Sequence, residues 1–320
     1  MYKRLVLATC LMAWLWWPGG ALAIDCTATM GDVQFGNVNV LTSAGAEVTG
    51  YVTVQCTNMT TPSARVCLSF GTPGGGSQDN RAMGGQTAVK LSYNIYTNSS
   101  YGAVWGSVYA TPSMPRQLDV GMDSYGKATT TVPYFARILG PQTSVPPGNY
   151  SIVYSTNDTA IHMQGYSGVP PQCSYTLQQG PSWMFAVRAN VVSDCSITAR
   201  DIDFGQLGLS ANPIQATGSV TVTCTAGTPY TVAINAGNGS GATPASRKLT
   251  REGGAETLNY GLYRDAGYSV PWGDGSAGTS MADGTGDGSP RVHQVYARLP
   301  SQPVGPPGVY RDTLIVTVTY

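Results

Sequence analysis

Apolar side chains recur at every second position over short stretches of this chain, and long helix-period runs are few. In Glu47–Gln55, Val48, Val52 and Val54 keep to one face, and Val220, Val222 and Cys224 do the same further on. Leu91-Ser-Tyr-Asn-Ile-Tyr96 and Leu258-Asn-Tyr-Gly-Leu-Tyr263 each pair an apolar face with a mixed one. Phe185, Val187, Ala189 and Val191 alternate, as do Leu314, Val316, Val318 and Tyr320 against Thr313, Ile315, Thr317 and Thr319. Alternation with period two marks strands with one buried face. Further strands are expected at 33–40, 66–70, 150–154 and 230–235. Turns rich in the chain's 40 Gly and 21 Pro separate them. The fold class this predicts is all-β.

The alternating segments occur twice in the same order. Asp25-Cys-Thr-Ala-Thr-Met-Gly-Asp-Val-Gln-Phe-Gly36 returns as Asp194-Cys-Ser-Ile-Thr-Ala-Arg-Asp-Ile-Asp-Phe-Gly205. Tyr93, Tyr96, Tyr101 and Trp105 return as Tyr260, Tyr263, Tyr268 and Trp272, and Pro146-Pro-Gly-Asn-Tyr150 as Pro306-Pro-Gly-Val-Tyr310. A repeat this long predicts two whole domains, 24–193 and 194–320, each an immunoglobulin-like β-sandwich. The shared Tyr and Trp residues read as core and corner positions.

Lys3 and Arg4, an apolar stretch to Trp17 and Ala21-Leu-Ala23 read as an export signal over residues 1–23. Its apolar stretch is too short to anchor, and no later segment is long enough to span a membrane. Removing Lys3 and Arg4 from 17 basic residues leaves 15 against 17 acidic ones, so nothing favours nucleic acid or acidic lipid. Of the seven cysteines Cys10 lies in the signal. The repeat matches Cys26 and Cys56 with Cys195 and Cys224, which selects the pairs Cys26–Cys56 and Cys195–Cys224. Cys67–Cys173 follows by elimination. No C-x-x-C pairs are present, so disulfides in an oxidising compartment are expected rather than a metal site.

Chemistry that an enzyme would need is missing. His162 and His293 lie in different copies, outside any G-x-S-x-G or H-E-x-x-H pattern. Asp283-Gly-Thr-Gly-Asp287-Gly-Ser offers oxygen ligands but lacks the closing Glu of an EF-hand loop, and reads as a surface loop. No catalytic residue, cofactor or metal is expected.

The two copies differ at their ends. The first is followed by Trp183–Val192, which alternates as a closing strand should; the second stops on its last alternating strand at Tyr320. The second sandwich is therefore expected to be incomplete and to need a strand donated by another chain. Leu314, Val316, Val318 and Tyr320 are the expected anchors for that donated strand. Only Ile24 and Asp25 precede Cys26, so the chain is expected to accept a strand without donating one and hence to cap a polymer.

The elements D-C-x(5)-D-x-x-F-G, L-x-Y-x-[IL]-Y and P-P-G-x-Y before T-L-I-V-T-V-T-Y resemble the spore coat protein U family, the pilin-like domains of archaic chaperone–usher pili. A two-domain member without a donor arm is similar to the tip adhesin of that system. The resemblance implies export to the periplasm, capture by a dedicated chaperone, passage through an outer-membrane usher and display at the cell surface on the pilus tip, in attachment and biofilm formation. A structural coat or surface protein that polymerises without adhesion is the other function class. Adhesion, if present, is expected where the first copy has segments that the second lacks. These carry Tyr109, Met114, Met122 and Tyr125 between Trp105 and Phe135, and Ile161, Met163 and Tyr166 in an Asn157–Pro171 loop. Two readings of these loops stand: an exposed apolar binding surface, or a cover for the first domain's own core tethered by Cys173.

Overall fold

The computed structural model describes residues 24–320 except 43–44, 111, 207, 209–211 and 304. The expected export signal, 1–23, lies outside the described residues. The protein is all-β, with one short 3-10 turn at Pro73–Gly75 among the described residues. The N-terminal half contains β1 (Asp25–Met30), β2 (Val33–Val38), β3 (Glu47–Thr57), β4 (Ser63–Phe70), β5 (Arg81–Met83) and β6 (Leu91–Tyr96). It continues with β7 (Arg116–Gly121), β8 (Ala128–Ile138), β9 (Gly148–Tyr154), β10 (Thr159–Tyr166), β11 (Gln178–Gln179) and β12 (Phe185–Val191). The C-terminal half contains β13 (Cys195–Arg200), β14 (Ile214–Cys224), β15 (Pro229–Ile234), β16 (Arg247–Arg251) and β17 (Thr257–Tyr263). β18 (Ala282–Thr285), β19 (Arg291–Leu299), β20 (Tyr310–Arg311) and β21 (Val316–Thr319) complete it.

Among the described residues every ladder joins strands of the same half, so there are two sandwiches. In the first, the sheet β1-β3-β8-β6-β5 packs against β11-β10-β4-β7, and β2-β12-β9 continues the former edge to edge, through paired backbone hydrogen bonds between Gly84, just after β5, and Ser151 of β9. In the second, β13-β14-β19-β17-β16-β20 packs against β18-β15-β21. The alternation read from the sequence is realised in β3 and β14, where Val52, Val54, Val220 and Val222 are buried. Cys26 lies opposite Cys56 in the β1–β3 ladder and Cys195 opposite Cys224 in β13–β14, and both pairs are disulfides, as is Cys67–Cys173.

Each core is clamped the same way. Trp105 Nε1 donates to the Leu68 carbonyl at 2.8 Å and Trp272 Nε1 to the Val232 carbonyl at 2.9 Å. Beside each indole lies a fully buried arginine. Arg81 donates to the carbonyls of Phe70 and Trp105, and Arg247 to those of Ile234 and Trp272.

One expected segment is corrected. The strand matching β21 is β10, since Ile161 pairs with Leu68 as Val318 pairs with Val232. Ile161 and Met163 are therefore not loop residues: they lie in β10 and are fully buried in the core. The first sandwich also has the long final strand, which does not end near Tyr154. A turn at 155–158, fixed by Asp158 accepting from the Ser155 amide at 2.9 Å, carries the chain from β9 in one sheet to β10 in the other. The second copy makes the same crossing from β20 to β21 through residues 312–315 without that turn.

Candidate functional site: an open groove and an apolar tip

β12 closes the first sandwich. It runs parallel to β2 and antiparallel to β9, and buries Phe185, Val187, Ala189 and Val191. Phe185 stacks on Tyr154 with ring centroids 4.3 Å apart and meets Phe70 at 5.2 Å. The flanking residues are sealed: Val33, Phe35, Tyr150 and Tyr154 are all buried.

The second sandwich has both walls of this slot and nothing between them among the described residues. Asp201-Ile-Asp-Phe-Gly205 follows the course of Asp32-Val-Gln-Phe-Gly36, with Gly205 and Gly36 in the same left-handed conformation (φ 72° and 66°). The other wall is β20, β21 and the crossing between them. Here the counterparts stay partly exposed: Ile202 and Phe204 on one wall, Tyr310, Leu314, Val316 and Val318 on the other. Apolar groups that face a core yet remain open to solvent define a groove that a strand can fill.

Leu314, Val316 and Val318 lie together along this groove, partly buried against the core. Tyr320 does not join them. It is 54% exposed, and its hydroxyl donates to Asp194 Oδ1 at 3.1 Å, so that carboxylate pushes its phenol above the usual tyrosine range. Asn39 donates to the other oxygen of Asp194, tying the linker to the end of the first sandwich. The opposite wall, Ile202 and Phe204, was not anticipated. Its signal was present in the repeated F-G dipeptide, read only as a marker of domain starts.

The remaining candidates separate. Tyr125 and Tyr166 lie at the end of the first sandwich away from the linker. There the Met122 amide donates to the Pro62 carbonyl (3.1 Å), the Met59 amide to Gly126 (3.3 Å), and Tyr166 pairs with Ser63. Tyr125 is 83% exposed and Val169, in the next loop, 89%. Met122 is half-buried against the core, and Tyr166 half-buried. Tyr109 and Met114 are exposed but lie elsewhere, in the β6–β7 connection. Tyr109 shares a hydrogen bond with His162 Nε2 at 3.0 Å and faces Tyr175 at 6.5 Å. With the Cys67–Cys173 bridge, this group lies over the outer side of β4 and β10, whose residues are buried on both faces. Part of the extra sequence thus covers the first sandwich's own sheet.

Among the described residues no group of three or more His, Cys, Asp or Glu is placed to hold a metal, and no helix is long and apolar enough to cross a membrane.

Two immunoglobulin-like sandwiches, one sealed by its own last strand and one open along the same edge, define a pilin-like protein. Residues 20–153 and 182–317 match the Spore Coat Protein U domain, and the chain belongs to that family. It is 32% identical over 108 residues to Protein U of Myxococcus xanthus, an alignment covering 32% of this chain and 59% of that protein. It shares its fold with a chain of the CsuC–CsuE chaperone–tip adhesion subunit pre-assembly complex from the archaic chaperone–usher Csu pili of Acinetobacter baumannii. That alignment has a TM-score of 0.54 and 17% identity, over 92% of this chain and 100% of the other.

Proposed function

We propose that this chain is the adhesive tip subunit of an archaic chaperone–usher pilus, exported through the signal at 1–23. In this reading residues 24–193 bind a surface in attachment and biofilm formation. Residues 194–320 accept a strand, first from a periplasmic chaperone at the outer-membrane usher and then from the adjacent pilin. The observation that carries it is the groove lined by Ile202, Phe204, Leu314, Val316 and Val318, which corresponds to the slot that β12 fills in the first sandwich. The first sandwich cannot accept a strand there while β12 occupies its slot, so among the described residues the second sandwich offers the open edge of this kind. The likeness in fold to a tip subunit held in a chaperone complex supports the same reading.

The test supplies the strand. A copy of residues 182–192 fused after Tyr320 through a short flexible linker can return antiparallel to β20–β21, as β12 does to β9. Each large apolar side chain that it buries contributes about 1.5–3 kcal/mol. The fused chain is expected to be monomeric and to unfold at higher temperature than the parent chain, which is expected to aggregate or to need a partner. An unchanged oligomeric state and melting temperature would refute the acceptor reading.

A further inference from the structure

The loop between β6 and the Trp that both copies share differs at most positions between the sandwiches, and one of these differences changes the space beside the loop. Tyr96, Tyr101 and Trp105 correspond to Tyr263, Tyr268 and Trp272 at equal spacing, so Thr97 stands where the second sandwich has Arg264. Arg116 pairs with Leu68 as Ala282 pairs with Val232, so Pro115 corresponds to Met281 and Gln117 to Asp283. In the second sandwich Arg264 fills the space between these elements, donating to the Met281 carbonyl at 2.7 Å and pairing with Asp283 at 3.5 Å. In the first, the short Thr97 turns its hydroxyl back to the Ala103 carbonyl at 3.3 Å, and a pocket of about 490 Å³ opens among Thr97, Asp79, Ser113, Met114, Arg116 and Gln117. That volume lies in the range of small-molecule sites, roughly 300–1,000 Å³.

The walls of the pocket are fixed before any ligand arrives. The buried Arg81 guanidinium donates to the Gln78 carbonyl and side chain next to Asp79, and to the Trp105 carbonyl behind the 102–104 wall. The third wall is held by the Gly106 amide on the Met114 carbonyl at 2.9 Å. It packs so closely that a Cβ on Gly106 would lie 2.3 Å from the Ser113 carbonyl oxygen. Ser113 Oγ lies 3.4 Å from Asp79 Oδ1, and Arg116 Nε is buried with no hydrogen-bond partner.

We infer that this pocket binds a neutral polyhydroxylated ligand, the end group of a saccharide. Its lining carries one carboxylate, one guanidinium and two hydroxyls, with Met114, Val104 and two prolines between them, while the Gln117 carboxamide oxygen at its edge accepts from Arg65 at 2.8 Å. An anion would meet Asp79 and a cation would meet Arg116. Vicinal hydroxyls satisfy both, donating to the carboxylate and accepting from the guanidinium, while the apolar wall covers C–H faces. The site is independent of the groove in the second sandwich and of the apolar tip.

The full chain, labelled and applied to an array of neutral oligosaccharides ending in glucose, galactose or N-acetylglucosamine, is expected to retain at least one of them. Thr97→Arg puts into the pocket the side chain that fills it in the second sandwich, and Asp79→Ala removes the acceptor carboxylate from an exposed position. Each is expected to weaken binding about tenfold or more, with the melting temperature and acceptor-strand binding unchanged. Retention of none of the neutral sugars, binding confined to charged ones, or binding that survives Thr97→Arg overturns the inference.

Discussion

Single side chains set what each sandwich tolerates. His162 is fully buried on β10, with Nε2 against the Tyr109 hydroxyl and Nδ1 without a hydrogen-bond partner. Burial holds its pKa below the ordinary value of 6.5. The unfolded chain therefore takes up a proton at a pH where the folded chain does not. The stability tied to the neutral ring is complete above about pH 6.5 and is lost as the pH falls from there to the depressed folded value. His293, whose pKa is also lowered by burial, contributes a slope of the same sign from the second sandwich. Denaturant midpoints of the first sandwich, followed from about pH 7.5 to 5, should fall in the parent chain and fall less in His162→Gln. Equal slopes in the two proteins would show that His162 is not the titrating group. Arg81 and Arg247 are the opposite case. Each is spent on backbone carbonyls at the same place in its core, and that explains why two arginines tolerate full burial.

Elements show why one part of the fold was legible in the sequence and another was not. β6 and β17, buried over more of their length, are legible because Leu91, Tyr93 and Ile95 repeat as Leu258, Tyr260 and Leu262. β3 and β14 announce themselves because one face is buried and the other left more open, so their alternation survives in the residue order. β10 does not. Its outer face is covered by the segment that Cys173 pins to Cys67, so Thr159 to Met163 are all buried and the polar half of the alternation is blurred. The turn at 155–158 and the Gly165–Gly168 region then made it look like a loop. The groove's second wall escaped for another reason: Ile202 and Phe204 are recognisable as groove residues only beside the strand that covers Val33 and Phe35. The covering segment itself gives a prediction. The Cys67–Cys173 bridge closes a loop of 106 residues, worth about 4–5 kcal/mol in the chain-entropy model. Replacing both cysteines by Ala should destabilise the first sandwich by several kcal/mol and open residues 167–177 to protease, while Cys195–Cys224 and the second sandwich keep their stability. Protease resistance equal to that of the parent chain would mean that packing alone holds the cover.

Across the molecule the open groove and the apolar tip are kept apart. β3 runs 11 residues from Glu47, near the linker end, to Thr57, near the tip. At about 3.3 Å per residue this sets them roughly 30 Å apart. At the linker end Asp194 holds both Asn39 and Tyr320, so the end of the C-terminal strand and the end of β2 meet at one carboxylate. A polymer joined at the groove would then hold the far end of the first sandwich away from its own shaft. What that end presents is modest in area and apolar in character. Tyr125 and Val169 are its most exposed members, Tyr166 is half-exposed with its hydroxyl on Asp119, and Met59 and Met122 lie beneath. An adhesive role for this surface predicts a separation of effects. Tyr125→Ser with Val169→Ser should leave folding and piliation intact and reduce attachment to hydrophobic surfaces severalfold, because each lost side chain gives up part of about 1.5–3 kcal/mol of burial. Tyr109→Ser, in the cover and away from the tip, should weaken the first sandwich through His162 before it changes attachment. Attachment per pilus measured on bacteria carrying each variant decides between the two function classes. Unchanged attachment in the Tyr125/Val169 pair removes this tip from the adhesive reading, and pili that never attach in the parent strain point to a structural polymer instead.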